Sequence, residues 1–325
     1  MSMPWLSVIL PTYNGAAYLE SALQSLAAQQ EGDFEVVVVD DGSTDTTREI
    51  LDAYRNSLPM RIIHGEHTGN WVATTNRGMS LARGRYLGWL HQDDAWDVRR
   101  LRELKRLTIQ QPESVLFFHP SYFIDSTGMR LGVWRCPFPR RTARLPSGQV
   151  LERLLVQNFL CASATLFRSD AACRIGTMDE TLWYTADWDF WLRLARLGSA
   201  IYHPAPLASF RIHPASQTSS CAARIDDVVH QYEIVLARHA DALPPCAPHS
   251  RRVLEVAAFS VALNLALMRL SSRRRIGALY LLRRALKLGP DGWYRFFRDS
   301  RILDRCMARL RARFSTSCRR THGTS

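Results

Sequence analysis

One pattern, repeated three times, limits what this chain can fold into. Leu6–Leu10 runs into the string PTYNG at Pro11–Gly15, Val36–Val39 into VDDGSTD at Val39–Asp45, and Tyr86–Leu90 into HQDD at His91–Asp94. Short apolar runs bounded by turn residues read as strands covered on both faces, which is how parallel sheets are written. Helical periodicity separates them: Leu19, Ala22, Leu23, Leu26 and Ala27 share a face, as do Ile50, Leu51 and Tyr54. A strand at Arg61–His64, helices at Asn70–Ala82 and Asp97–Gln110, and a strand at Val115–His119 continue the alternation. Such an order predicts an α/β fold with a doubly wound, mostly parallel sheet. Polar loops at successive strand ends then converge on one sheet edge, where open α/β sheets bind ligands. Aspartates there suit ribose or base hydroxyls and a divalent cation carrying phosphates, and so point to a nucleotide-sugar site.

The second half is less regular. Val133–Gln149, rich in Pro, Arg and Gly, reads as an exposed loop. A helix is expected at Val150–Asn158, a strand at Ser163–Phe167, an amphipathic helix at Thr185–Leu197, and strand and turn at Ala200–Arg211. Beyond about Asp226 the pattern is helical. The expected organisation is therefore a catalytic domain at 1–225 and a basic helical extension at 226–325. Val253–Leu270 is largely apolar but contains Glu255, Ser260 and Asn264. It reads as a buried helix, with a membrane span as the alternative.

Hydrophobic residues make up 46% of the 325, which supports a sizeable core, and the net charge is +12. The basic excess lies late in the chain. Ile276–Leu288 and Trp293–Phe314 carry Arg on one face and Leu, Trp, Phe or Met on another, the composition of interfacial helices or of helices packed on the core. In the interfacial case Trp293, Phe296, Phe297 and Phe314 would meet lipid while Arg295, Arg298 and their successors face its phosphates. An anionic membrane surface is thus an expected partner; nucleic acid has charge in its favour but no motif and is not expected. Seven scattered cysteines without a CxxC predict reduced thiols, and the N-terminus lacks a secretory pattern. The expected location is cytoplasmic, peripheral at the inner face of the cell membrane.

The three strings, with their order and strand contexts, resemble the N-terminal half of a family 2, GT-A-fold glycosyltransferase, over about Ser7–His213. The resemblance implies an inverting transfer from a UDP- or dTDP-sugar to a saccharide or lipid-linked saccharide. It implies that Asp41, paired with Asp40, contacts the nucleotide base, with Pro11, Thr12 and Tyr13 beside it; Asp40 or Asp45 could instead cap a helix. HQDD stands where the family writes an Asp-rich motif for Mg²⁺ or Mn²⁺. His91 replaces the first Asp, which leaves Asp93 or Asp94 as ligand and as the donor-phosphate contact, with His91 as support for a softer ion or as a structural residue. Asp187, in TADWDFWLRL at Thr185–Leu194, matches the general base, with Asp189 as second candidate and Ala186 replacing an expected Glu. FRIHP at Phe210–Pro214 offers Arg211 to the diphosphate and His213 to the metal, and Trp183 and Tyr184 could stack on a sugar. The competing reading is a non-catalytic nucleotide-sugar-binding scaffold, a decayed member of the same family. No Gly-rich phosphate loop follows Leu10, which argues against a pyrophosphorylase or a dinucleotide-binding dehydrogenase.

Overall fold

The computed structural model describes residues 3–216, 224–243, 248–271 and 278–320. Four parallel strands stand side by side: β3 (Met60–His64), β2 (Phe34–Asp40), β1 (Leu6–Thr12) and β4 (Tyr86–Trp89). Every residue of β1 and β2 is buried, which is why they read as largely apolar runs. Thr12 pairs with Asp40 and Asp40 with His64, so the polar strings leave the sheet at one edge. Helices α1 (Leu19–Ala27), α2 (Thr47–Tyr54) and α3 (Trp71–Leu81) connect the strands. Asn70 starts α3 by accepting hydrogen bonds from the Val72 and Ala73 backbone N–H groups.

Past β4 the sheet changes character. A strand from later in the chain, β10 (Thr165–Arg168), inserts antiparallel between β4 and β6 (Leu116–Phe118). Outside β6 lie β11 (Ala200–Tyr202), parallel to it, and β9 (Ala143–Leu145), antiparallel to β11. A second sheet has the order β5 (Ala95–Trp96), β12 (Ala208–Arg211), β7 (Ser121–Ile124), β8 (Arg130–Trp134). Helices α4 (Arg100–Gln110), α5 (Ser147–Val156), α6 (Ser169–Ile175) and α7 (Ala186–Ala195) complete this part.

The exposed loop expected at Val133–Gln149 is there only in part: residues 139–142 are exposed and outside any helix or strand, but the rest is built in. That stretch holds the end of β8, all of β9 and the start of α5. Cys136 and Phe138 are buried, and Phe138 packs on Phe118, Phe159 and Tyr202 with the Arg153 guanidinium 4.3 Å above its ring. Apolar residues at every second position, Trp134, Cys136 and Phe138, carried an extended-chain signal that the Pro and Arg content masked.

The helical extension comprises α8 (Ile225–Arg238), α9 (Pro248–Ser271), α10 (Ala278–Lys287), α11 (Gly289–Ser300) and α12 (Ile302–Arg320). Val228, Tyr232 and Val235 of α8 and Val253, Val256 and Phe259 of α9 belong to the same core as β4 and α7. The polar interruptions of α9 have partners: Ser260 and Asn264 both donate to Gln157 Oε1. Among the described residues, α9 alone is long and apolar enough to cross a membrane, by length and composition.

The orientation expected for Trp293–Phe314 is overturned in part. A left-handed Arg301 (φ 48°) breaks the stretch into two helices. Phe296 is 1% exposed and packs on Phe259 and Trp293, while Arg295 pairs with Glu152 and Arg298 with Asp299. Phe296, Arg295 and Arg298 thus serve the core, whereas Phe297 of the same helix remains 50% exposed. Ile276, Gly277 and the side chains of Arg313 and Phe314 lie outside the described residues. Of the cysteines, Cys136, Cys161, Cys173 and Cys306 are free. Removing the Phe296 ring should leave a cavity under the extension: Phe296→Ala is expected to lower stability by about 3–5 kcal/mol in urea unfolding. Leu303→Ala, at a site 65% exposed, should stay within about 0.5 kcal/mol.

Candidate active site

The three strings are laced together at their strand ends. Thr12 Oγ1 and the Tyr13 N–H both donate to Gln92 Oε1 (2.6 and 2.8 Å), and Gln92 Nε2 donates back to the Tyr13 carbonyl. Asn14, left-handed at φ 44°, accepts from the Thr44 N–H and donates its own N–H to Ser43 Oγ. Pro11 and Thr12 are buried, whereas the Tyr13 ring is exposed on one side and stacked on His67 on the other, at 3.9 Å and 14°. Asp45 accepts the Thr47 N–H at the start of α2, the capping role open to it in the sequence.

The paired aspartates are both engaged. Asp40 accepts from the Ser43 N–H, Arg48 Nε and His64 Nδ1. Burial pushes its carboxyl up, but those hydrogen bonds outweigh it and hold the group below the usual carboxylate range. Asp41 accepts from the Thr68 N–H and hydroxyl, the Gly69 N–H and His67 Nδ1. Gly42 makes that close approach feasible: its φ is +76°, and a Cβ there would sit 2.7 Å from the His67 backbone nitrogen.

HQDD divides its two carboxylates between different tasks. Asp94 is 1% exposed and accepts from Ser163 Oγ (2.6 Å) and the Arg211 N–H (3.1 Å). Burial, and then the neighbouring charge of Asp93, push its carboxyl well above the usual range. Asp93 keeps partial exposure and lies 2.9 Å from His213 Nε2. Burial raises its carboxyl too, but His213 and His91 outweigh that and hold it below the ordinary value. The Arg211 guanidinium is turned to the carbonyls of Asp93 and Asp125 and over the Tyr18 ring. His91 packs edge-on against Trp71, and its Nε2 is buried with no hydrogen-bond partner.

Asp187 lies in the first turn of α7, half-buried. Its carboxylate accepts from Asn158 Nδ2 (3.0 Å) and the Trp188 N–H (2.7 Å). Burial dominates, and its carboxyl is pushed up to about 6. Asp189, one helical step away, is fully buried among Arg193, Arg238 and His239. Burial raises it, yet those partners win and draw it down to about 2. Both of its oxygens are taken, and it fastens α7 to the end of α8. The rings of Trp183 and Tyr184 pack against Arg224 and Tyr232.

One short segment brings the two halves of the site together. Asn158 holds Asp187 and Ser163 holds Asp94, five residues apart, a separation of at most about 18 Å in fully extended chain. The buried Cys161 thiol between them is pushed up by burial, then by Asp94 and also by Asp187. Asn158, Ser163, Gln92 and His67 escaped the sequence reading because isolated polar residues carry no periodic signal. Gln231 escaped it too; its buried Oε1 accepts the Tyr184 and Thr185 N–H groups just before α7.

The glycosyl transferase family 2 model matches residues 7–174, more than half of the chain. The chain belongs to this family and is a glycosyltransferase. An uncharacterized glycosyltransferase of Rickettsia prowazekii is 27% identical over 225 residues, 69% of each chain. The PGL/p-HBAD biosynthesis glycosyltransferase of Mycobacterium tuberculosis is 33% identical over 59% of this chain and 70% of its own. Among solved structures, S. aureus TarS residues 1–349 in complex with UDP-GlcNAc matches with a TM-score of 0.67 at 20% identity, over 90% of this chain and 78% of that one. A longer TarS chain matches over only 43% of its length. The mannosyltransferase PcManGT of Pyrobaculum calidifontis, with GDP-Man and Mn²⁺, matches at 0.58 and 16% identity, over 97% and 88% of the two chains. The architecture is thus the GT-A fold with a C-terminal helical extension.

The residues present suit a divalent ion. His91, Asp93 and Asp94 offer ligand atoms within 4.8 Å of one another, and the unpartnered His91 Nε2 is a donor set apart from the protein's own hydrogen bonding. The two aspartates should separate on mutation. Asp93→Ala is expected to abolish Mn²⁺-dependent strengthening of UDP binding in calorimetry while leaving the melting temperature nearly unchanged. Asp94→Ala, which strands the Ser163 hydroxyl and the Arg211 N–H, should cost about 1–3 kcal/mol of stability by thermal unfolding.

Proposed function

We propose that the protein transfers a sugar, with inversion, from a UDP- or dTDP-sugar to a hydroxyl of a saccharide or lipid-linked saccharide at the inner face of a cell membrane. The observation that carries this reading is the 158–163 segment, which holds an unusually basic carboxylate, Asp187, near the Asp93–Asp94 motif. Residues 1–225 form the catalytic part in this account, and 226–325 an extension that shares its core.

The donor's base is assigned to the strand-end side, against the exposed Tyr13 face with Asp41 beneath it. The solved neighbours with UDP-GlcNAc and with GDP-Man and Mn²⁺ support a nucleotide-sugar donor and a divalent ion. Asp93 and His213, with His91 and Asp94 behind them, would hold Mg²⁺ or Mn²⁺. A bound ion there neutralises charge on the leaving diphosphate. Asp187 removes the proton of the acceptor hydroxyl as its oxygen bonds to the anomeric carbon, and the bond from that carbon to the diphosphate oxygen breaks. The proton ends on Asp187 and the electron pair leaves with the nucleoside diphosphate. A carboxyl near 6 is ionised at neutral pH yet more basic than an ordinary aspartate. Asp189, held near 2 by Arg193, Arg238 and the His239 hydrogen bond, has neither a free oxygen nor the basicity.

The sign of the pH dependence follows. Below about 6 Asp187 is protonated and inactive as a base, so kcat/KM should rise with pH through that value and then level off. Nucleoside diphosphate released from the UDP- or dTDP-sugar that most raises the melting temperature provides the assay. Asp187→Asn should lower turnover by about 10²–10⁴-fold with donor binding retained. Near-normal turnover in that variant would remove the assignment, and a decayed, non-catalytic protein would show no release in either form.

A further inference from the structure

The catalytic reading makes no use of the outer surface of the last three helices. Fifteen of the 42 lysines and arginines, but only three of the 30 acidic residues, fall in residues 271–325. That stretch therefore carries the whole net charge of +12, and the first 270 residues are neutral overall. Large apolar side chains gather in the same region. Among the described residues, ten of the fifteen that remain exposed lie between Leu270 and Leu310.

Helix α10 concentrates both properties. Leu281 and Ala285 pack on the main core. On the other side Leu279, Leu282 and Leu286 are 62%, 55% and 75% exposed, at the i, i+3, i+7 spacing of a single helix face. Arg283 and Lys287 flank them, also exposed, and neither is ion-paired within the described residues. Arg295 and Arg298 of α11 differ in being neutralised by Glu152 and Asp299. A leucine row framed by unpaired cations is costly to leave in water. A symmetric contact with a second copy would bury the leucines but set Arg283 and Lys287 against their own kind. A polyanion such as nucleic acid would meet the cations and leave the leucines wet.

We propose that α10 docks the protein on an anionic lipid bilayer. Its leucines enter the boundary between headgroups and acyl chains, and Arg283 and Lys287 meet lipid phosphates. The face is distinct from the one the amphipathic pattern of Trp293–Phe314 suggested, because Phe296 and Arg295 are turned inward. The proposal rests on the transferase reading only for its purpose, which is to hold the enzyme beside a lipid-linked acceptor.

The test is co-sedimentation of the full chain with vesicles of phosphatidylcholine alone or mixed with phosphatidylglycerol, without donor or acceptor. Binding should be at least about tenfold tighter to the mixed vesicles and should be lost at about 1 M salt, where the Debye length falls to roughly 3 Å. Leu282→Gln with Leu286→Gln should weaken it about tenfold or more. Arg283→Gln with Lys287→Gln should weaken it about 30-fold, and both double variants should melt like the parent and release nucleoside diphosphate at the parent's rate from soluble donor. Equal affinity for the two vesicle types, absence of binding, or unchanged binding by both variants would overturn the proposal. So would retention at high salt until detergent is added, which would point to α9 as a span. A dimer in gel filtration that the leucine variant dissolves, without vesicle binding, would reassign the face to a second copy. Asp187→Asn should bind vesicles like the parent, so failure of the catalytic reading and failure of the docking reading remain separate results.

Discussion

Asp94, between β4 and β5, accepts hydrogen bonds from Ser163 Oγ and from the Arg211 backbone N–H, both from distant parts of the chain. Ser163 lies just before β10, the antiparallel insertion in the main sheet, and Arg211 ends β12 of the second sheet. One buried carboxyl thus ties three chain segments at the sheet edge. It is tolerated there because its oxygens are satisfied and its proton affinity is raised by burial. The position of Asp93 follows from this tether, since its carbonyl is held by Arg211 Nε and its carboxylate by His213, two residues further along the same strand exit. The exposed half of the HQDD string is in this way fixed by the buried half.

The same economy sets the other carboxylate. Asp187 is oriented by Asn158 and raised by burial, while Asp189 is fixed by Arg193, Arg238 and His239. Two of those three partners come from α8 and the residue after it, and Gln231 of α8 accepts the N–H groups at the start of α7. The helix bearing the proposed base is therefore braced at its start and first turn by the C-terminal extension. This accounts for the shared core of the two parts: the extension contributes to the geometry of the site without supplying a group to it.

Much of the parallel sheet could be read in the sequence, because strands covered on both faces must be apolar throughout, as Val36–Val39 is. The site was legible at the level of strings, since PTYNG, VDDGSTD and HQDD do end on one edge. What escaped was pairing across the chain. Nothing in the order of residues says that Asn158 meets Asp187, that Gln92 clamps Tyr13, or that Asp189 is consumed by α8. These contacts join positions tens of residues apart and leave no periodic trace. The β8–β9 stretch was hidden by composition, and the inward turn of Phe296 by an amphipathic pattern that a lipid surface and a protein core write in the same way.

The central claim is that Asp93 and Asp187 face one reaction centre from opposite halves of the fold. Crystals grown with Mn²⁺ and the cognate nucleoside-diphosphate sugar, measured at the manganese absorption edge, test it most directly. The account predicts an anomalous peak bonded to Asp93, the diphosphate on that ion, and the open face of the anomeric carbon turned toward Asp187. An ion held away from Asp93, or an anomeric carbon whose open face is turned from Asp187, would contradict it.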